Sequence, residues 1–126
     1  MARILIVDDD PDVVDMCTLV LQNQGHQVRS AFNRTEGMKL LQAQTPDLLI
    51  LDVIMEQPDD GIAMAQDIRR AGLSVPILML TSMSKVTGLE YGKDEDVVPV
   101  DEFVEKPVEP RTLLAKVDAL LAPTGR

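Results

Sequence analysis

The chain has 126 residues, which is enough for one domain with a substantial core. Its 45% hydrophobic and 26% charged residues are typical of a globular protein, and the net charge of −9 argues against direct contact with nucleic acid or an anionic membrane surface. No stretch approaches the roughly 20 apolar residues that cross a bilayer, and the first residues leave no room for a signal peptide. We therefore expect a cytoplasmic protein whose single cysteine, Cys17, is buried rather than reactive.

Predicted strands and helices alternate along the chain. Short apolar runs predict strands at 3–7, 27–31, 47–51, 77–80 and 100–104. Apolar residues at helical spacing predict helices that begin after an N-cap at Asp10, near Arg34, near Ile62 and near Arg111. A further short helix could occupy about 84–91, where glycines and an acidic run weaken the pattern. Five alternations of strand and helix predict an α/β fold, a parallel sheet with helices on both faces.

The predicted central strand ends in an acidic residue. Residues 48–55 are apolar except for Asp52, as expected for a strand that is buried on both faces. Ligands of open α/β sheets bind in the crevice beyond the carboxyl ends of the strands. This position alone is equally consistent with a carboxylate that caps the strand and with one that takes part in chemistry.

Polar residues also follow the other predicted strands. Asp8 and Asp9 follow the first, Thr81 the fourth and Lys106 the fifth, so all of them should share a cleft with Asp52. Adjacent carboxylates repel one another, and Mg²⁺ relieves that repulsion while binding waters and a phosphate oxygen. Asp52 could then attack a phosphoryl group whose oxygens are met by the metal, the ammonium and the hydroxyl.

The order of these motifs resembles the receiver domain of two-component response regulators. The resemblance covers roughly 3–55, 61–82 and 100–121, and it implies a flavodoxin-like, doubly wound sheet of five parallel strands in the order 2-1-3-4-5. It also implies a receiver domain at 1–122 with a frayed tail at 123–126. The matching motifs are Asp8-Asp9 after a strand, Leu-Leu-Ile-Leu-Asp at 48–52, Thr81-Ser82 after a buried strand, and Asp-Glu-Phe-Val-Glu-Lys-Pro at 101–107.

The resemblance implies a phosphoacceptor and a metal site. Asp52 is the expected phosphoacceptor, with a histidine kinase or a histidine phosphotransfer protein as the donor and Mg²⁺ or Mn²⁺ as the cofactor. The chain would catalyse only its own phosphorylation and dephosphorylation. The expected metal ligands are Asp8, Asp9, Asp52 and the backbone carbonyl of Ile54.

The resemblance also implies a switch and an output. Thr81 and Lys106 would hold the phosphoryl oxygens, while Thr81 and Phe103 would change conformation on activation. Lys106-Pro107 is similar to the family's cis peptide bond. The output would be contact with an unknown downstream protein, with no direct nucleic acid or membrane contact, and a homodimer stays open.

The chain departs from the receiver pattern in three places. Glu56 stands where the family usually has a proline, and Gly61 comes one residue later than usual, so we expect a longer loop after Asp52. Gly37, where alanine is common, should weaken the second helix. The segment 82–100 is longer than typical and contains Gly88 and Gly92, so we expect an atypical fourth helix.

Simpler interpretations exist for each motif and for the whole chain. Residues 8–10 could be a capping run, Thr81 a strand-end hydroxyl, Lys106 a solvated charge and Phe103 a core side chain. The chain could also be a receiver-like module that binds its partner regardless of phosphorylation, or a Mg²⁺-dependent aspartyl phosphohydrolase. The latter class usually has an aspartate two residues after its nucleophile, where this chain has Ile54.

Overall fold

The computed structural model describes residues 2–53, 60–81 and 100–121, and it shows the predicted alternation of strands and helices there. The strands are β1 (Arg3–Val7), β2 (Gln27–Ala31), β3 (Leu48–Asp52), β4 (Ile77–Thr81) and β5 (Glu102–Glu105). The helices are α1 (Pro11–Asn23), α2 (Arg34–Ala43), α3 (Asp60–Arg70) and α4 (Pro110–Leu121). Within the described residues, no helix is both long and apolar enough to cross a bilayer.

The strands form one parallel sheet in the order β2-β1-β3-β4-β5, which confirms the doubly wound topology. β3 lies at the centre, and all five of its residues are buried. The register places Val7 opposite Leu51 and Asp52 opposite Leu80. β1, β3 and β4 therefore end at nearly the same level along one edge of the sheet.

Each face of the sheet packs against a pair of helices. Alternate residues of the buried strands point to opposite faces, which gives two separate hydrophobic clusters. On one face, Leu5 and Leu51 lie with the buried residues of α2 and α3; on the other, Ile6 and Ile50 lie with those of α1 and α4. The hydrophobic core thus has two layers, and α1 and α4 share one face of the sheet.

Local sequence signals set the ends of several helices. Asp10 caps α1, because its carboxylate accepts a hydrogen bond from the Asp12 N–H at 2.9 Å, and Pro11 takes the first helical position. Asn33 caps α2 through the N–H of Glu36 at 2.8 Å. Gly72 follows α3 with a φ of 85°, a conformation that favours glycine.

The observed elements differ from the sequence prediction in their limits. β5 begins at Glu102 rather than at Val100, because the Asp101 carboxylate accepts the Ile77 N–H at 2.8 Å and fixes the chain just before the strand. The helix predicted at about 84–91 lies outside the described residues, as does most of the loop from Glu56. The domain limits 1–122 and the tail 123–126 also stay predictions, because residues 122–126 are not described.

Candidate functional site

A charged cluster at the carboxyl edge of the sheet contains four of the predicted site residues. Asp8 and Asp9 follow β1, Asp52 is the last residue of β3, and Lys106 follows β5. Asp8 and Asp52 are buried although both are ionisable, whereas Asp9 is exposed. Buried carboxylates require compensating partners, so this edge of the sheet is the candidate functional site.

Asp8 is held in the cleft by backbone contacts. Its N–H donates to the carbonyl of Ala31 at 3.1 Å, and its Oδ1 accepts the N–H of Asp10 at 2.9 Å. Among the described residues, Oδ2 has no hydrogen bond of good geometry, and its ionic partner is the Lys106 ammonium at 3.1 Å. That buried oxygen therefore retains the capacity to bind a further cation.

Lys106 bridges the two buried carboxylates. Its Nζ lies 3.1 Å from Asp8 Oδ2 and 3.2 Å from Asp52 Oδ1. The simpler interpretation of Lys106 as a solvated charge is therefore wrong. Its backbone N–H donates to the carbonyl of Thr81 at 2.6 Å, which anchors it to the end of β4. The bond between Lys106 and Pro107 is cis, as the resemblance implied.

The charges in this cleft do not balance. Burial, and then the charge of Asp8, raises the pKa of Asp52 to about 7, and the opposing effect of Lys106 does not cancel them. Burial alone would lower the pKa of Lys106, but the carboxylates of Asp8 and Asp52 raise it. One ammonium faces two carboxylates, so Asp52 retains a proton up to near-neutral pH unless another cation is present.

Three carboxylates converge closely enough to hold a metal ion. One oxygen from each of Asp8, Asp9 and Asp52 lies within 4.8 Å of the other two. All three are hard oxygen ligands, and the open side at Asp9 leaves room for water, which is the donor set that Mg²⁺ prefers. The unfilled capacity of Asp8 Oδ2 fits the same interpretation.

Thr81, Phe103 and Ile54 stand in three different relations to this cleft. Thr81 is the last residue of β4 and is buried at the same edge of the sheet. Phe103 of β5 lies opposite Met79 of β4. It packs against the core layer of α2 and α3, so it is distinct from the charged cluster. Ile54, whose carbonyl was the predicted fourth metal ligand, lies outside the described residues.

Gly61 touches Asp52 directly, which the sequence pattern did not predict. Its N–H donates to the carbonyl of Val53 at 2.8 Å, and a Cβ built at this position would lie 1.9 Å from the carbonyl oxygen of Asp52. A sequence signal existed, since a buried strand ends in Asp52 and a glycine stands where the next helix begins. It indicated a turn, whereas the contact depends on how α3 packs on β3.

Cys17 lies in α1 and is buried, as predicted. Burial, and then the nearby charge of Asp8, raises the pKa of its thiol to about 11. The thiol therefore stays protonated at neutral pH and is inert as a nucleophile.

Comparison with known proteins decides the family. The family model for the response regulator receiver domain matches residues 4–118, which is most of the chain. This chain is a response regulator receiver domain. It is thus a signalling phosphoacceptor of the two-component type, and nothing favours the binding-module or phosphohydrolase alternatives.

Relatives of two different lengths resemble this receiver domain. The alkaline phosphatase synthesis transcriptional regulatory protein PhoP of Bacillus subtilis is 36% identical over 94% of this chain, which spans 48% of that protein. Protein PilH of Pseudomonas aeruginosa is 34% identical over 97% of this chain and 99% of its own length. The receiver domain thus spans about half the length of some curated relatives and nearly all of another.

The fold of the receiver domain also matches solved structures. A putative response regulator from Chloroflexus aurantiacus aligns with a TM-score of 0.83 and 34% identity, covering 97% of this chain and 98% of that one. A two-component response regulator from Clostridium difficile aligns with a TM-score of 0.81. The agreement with the first covers nearly the whole length of both chains.

Proposed function

We propose that Asp52 accepts a phosphoryl group from the phosphohistidine of a histidine kinase or a histidine phosphotransfer protein. The observation that carries this proposal is the contact of the Lys106 ammonium with both Asp52 and Asp8 in a cleft lined by three carboxylates. Asp52 is the one of the three that ends the central strand. Its carboxylate is buried but lies beside a cation, so it has little solvent to shed before it attacks.

The transfer needs few protein groups. An oxygen of the Asp52 carboxylate attacks phosphorus and forms a P–O bond, while the P–N bond breaks and its electron pair returns to the histidine nitrogen. Lys106 neutralises charge on the phosphoryl oxygens, and Thr81 is the proposed hydroxyl donor to them. Asp52 must be ionised to attack, and its pKa near 7 means that the second cation matters for reactivity as well as for binding.

Asp8, Asp9 and Asp52 are the proposed ligands of Mg²⁺ or Mn²⁺, together with the backbone carbonyl of Ile54. When bound, a divalent cation supplies positive charge to the carboxylates and to the phosphoryl oxygens. With a cation held by these residues, the charge of Asp8 would have a second partner, and Lys106 would be free to contact the phosphoryl group. This division of work explains why one cleft holds both an ammonium and an acidic cluster.

Dephosphorylation and output complete the proposal. Water attacks phosphorus, the P–O bond to Asp52 breaks, and the carboxylate leaves, so the chain resets its own state.

Thr81 and Phe103 form the proposed switch between the cleft and the surface. The signal then passes to a downstream protein in the cytoplasm through protein contacts, with or without a homodimer. Direct contact of this domain with nucleic acid is not expected, given the net charge of −9.

The test is incubation with acetyl phosphate and Mg²⁺, followed by intact-protein mass measurement. We expect one added phosphoryl group in the wild type, none in Asp52→Asn, and none when EDTA replaces Mg²⁺. Asp47→Asn is the matched control, because Asp47 lies on an exposed loop beside Arg3, before β3 rather than after it. An adduct of equal yield in Asp52→Asn would contradict the proposal.

A further inference from the structure

Gly61 lies in the first turn of α3, against the peptide that joins Asp52 to Val53. A Cβ at this position would lie 1.9 Å from the Asp52 carbonyl oxygen, 2.7 Å from Val53 Cα and 2.8 Å from the Asp52 carbonyl carbon. All three atoms belong to the backbone, so no side-chain rotation can relieve the overlap. The Gly61 N–H also donates to the Val53 carbonyl at 2.8 Å.

The same peptide is held from the opposite direction by β4. The Val53 N–H donates to the Leu80 carbonyl at 3.0 Å, and Asp52 pairs with Leu80 in the sheet register. The Asp52–Val53 peptide therefore lies between a strand and the first turn of a helix. Its position depends on how closely the helix approaches, and only a residue without a side chain permits this approach.

We infer that Gly61 is a positioning residue for Asp52, because its contact with the Asp52–Val53 peptide fixes where the Asp52 carboxylate lies relative to Lys106 and Asp8. This inference rests on the proposed role of Asp52 as phosphoacceptor. It adds a residue that touches neither the phosphoryl group nor the metal and acts through the backbone. It also assigns a function to the glycine that comes one residue later than in most receivers.

The size of the expected displacement decides how large the effect should be. Real Cβ atoms essentially never approach a neighbour within 3.0 Å, so an alanine whose Cβ would lie 1.9 Å from the Asp52 oxygen requires a relative shift of about 1 Å between the start of α3 and the Asp52–Val53 peptide. Asp52 Oδ1 lies 3.2 Å from Lys106 Nζ, and a displacement of Asp52 by that amount away from Lys106 would take the pair beyond hydrogen-bond distance. Misplacement of a reacting group by about 1 Å can slow a reaction by up to 10²-fold.

The other end of the same helix offers a matched control. Gly72 follows α3 with a φ of 85°, and a Cβ there would meet nothing within 4 Å. Gly72→Ala strains the backbone and lowers stability, but it places no atom near Asp52. A comparison of Gly61→Ala with Gly72→Ala therefore separates displacement of Asp52 from general loss of stability.

The experiment measures the rate of phosphorylation by acetyl phosphate at saturating Mg²⁺, by intact mass, for the wild type, Gly61→Ala and Gly72→Ala. Rates are divided by the folded fraction from circular dichroism. If Gly61→Ala is mostly unfolded, trimethylamine N-oxide is added equally to all three proteins. We expect the rate of Gly61→Ala to fall by about 10- to 100-fold and that of Gly72→Ala to stay within twofold of the wild type. Mg²⁺ affinity by calorimetry should change less than the rate, because two of the four proposed ligands, Asp8 and Asp9, follow β1 and are not displaced with Asp52.

Two results would overturn the inference. One is an equal phosphorylation rate per folded molecule in Gly61→Ala and Gly72→Ala. The other is a crystal structure of Gly61→Ala in which Asp52 Oδ1 still lies about 3.2 Å from Lys106 Nζ, whatever the phosphodonor result. Failure of the proposed function looks different, because the wild type itself would then gain no phosphoryl group.

Discussion

The burial of Asp52 lowers the stability of the folded protein. Its pKa of about 7 in the folded chain compares with an ordinary value of 3.8, and the first cause is burial. Between these pH values the folded protein binds a proton that the unfolded chain has lost. Raising the pH through that window therefore lowers the free energy of unfolding, and the loss is complete above about pH 7.

The pH dependence of Asp52→Asn follows from this. In EDTA, the amide should raise the free energy of unfolding by about 2–4 kcal/mol at pH 8, because an asparagine cannot ionise in the cleft. At pH 4, where Asp52 is protonated in the fold, the difference from the wild type should nearly vanish. Urea titrations at both pH values give the free energies of unfolding. The exposed Asp15→Asn is a control that should show the wild-type change in free energy between pH 4 and pH 8. An equal change in the wild type and in Asp52→Asn would show that Asp52 is not the group that titrates.

At the scale of elements, α2 is held close to the sheet by a glycine. α2 runs from Arg34 to Ala43 with Gly37 inside it, and the expected weakening of this helix stays a prediction. A Cβ at Gly37 would lie 2.9 Å from Val7 Cγ2 and 3.2 Å from Met64 Cε, so the glycine permits close packing on β1 and α3. Arg34 adds an ion pair from the start of α2 to Asp67 of α3.

Gly37→Ala places two known effects in opposition. Helix propensity favours alanine by about 1 kcal/mol, but overpacking a buried site costs about 1–3 kcal/mol. Because Val7 is stiff and belongs to a buried strand, we expect a net loss of roughly 1 kcal/mol in urea unfolding. Thr35→Ala, on the exposed side of the same helix, gains propensity without a clash and should not lose stability. A Gly37→Ala protein more stable than the wild type would contradict the packing argument.

Secondary structure was predictable where local chemistry sets it. The apolar run at β1 and the N-cap Asp10 before α1 were predicted from the sequence, and both are observed. The start of β5 was wrong by two residues because a tertiary hydrogen bond from Ile77 to the Asp101 side chain intervenes. The Gly61 contact was missed for a similar reason, since it depends on packing between two elements rather than on either alone.

At the scale of the whole molecule, topology assembles the site. Asp8, Asp52 and Lys106 lie far apart in sequence and come together only because parallel strands end at one edge. The convergence was predictable from strand ends, whereas the exact contacts were not. The structure shows that Asp8 Oδ2 faces Lys106 and that this oxygen can still bind a further cation. Both facts depend on side-chain geometry, which the spacing of residues in the sequence does not encode.

The net charge of −9 and the acidic cleft predict a stabilising response to Mg²⁺. A ligand that binds only the folded chain raises its stability, by about 2.7 kcal/mol at 100 times its dissociation constant. We expect the melting temperature to rise with Mg²⁺ concentration and the rise to shrink strongly in Asp9→Asn, whose exposed side chain can change without disturbing the core. Asp15→Asn, an equal change of charge outside the cluster, should keep the full response. A similar response in both variants would place the bound ion elsewhere.

The central claim is that Asp52 becomes the phosphorylated residue, and chemical trapping tests it most directly. After phosphorylation by acetyl phosphate and Mg²⁺, borohydride reduces an aspartyl phosphate to homoserine, whose position peptide mass spectrometry can find. The proposed site predicts homoserine at position 52 and at no other aspartate. Homoserine at position 8 or 9 with none at 52, or a phosphorylated protein that yields no homoserine, would contradict it.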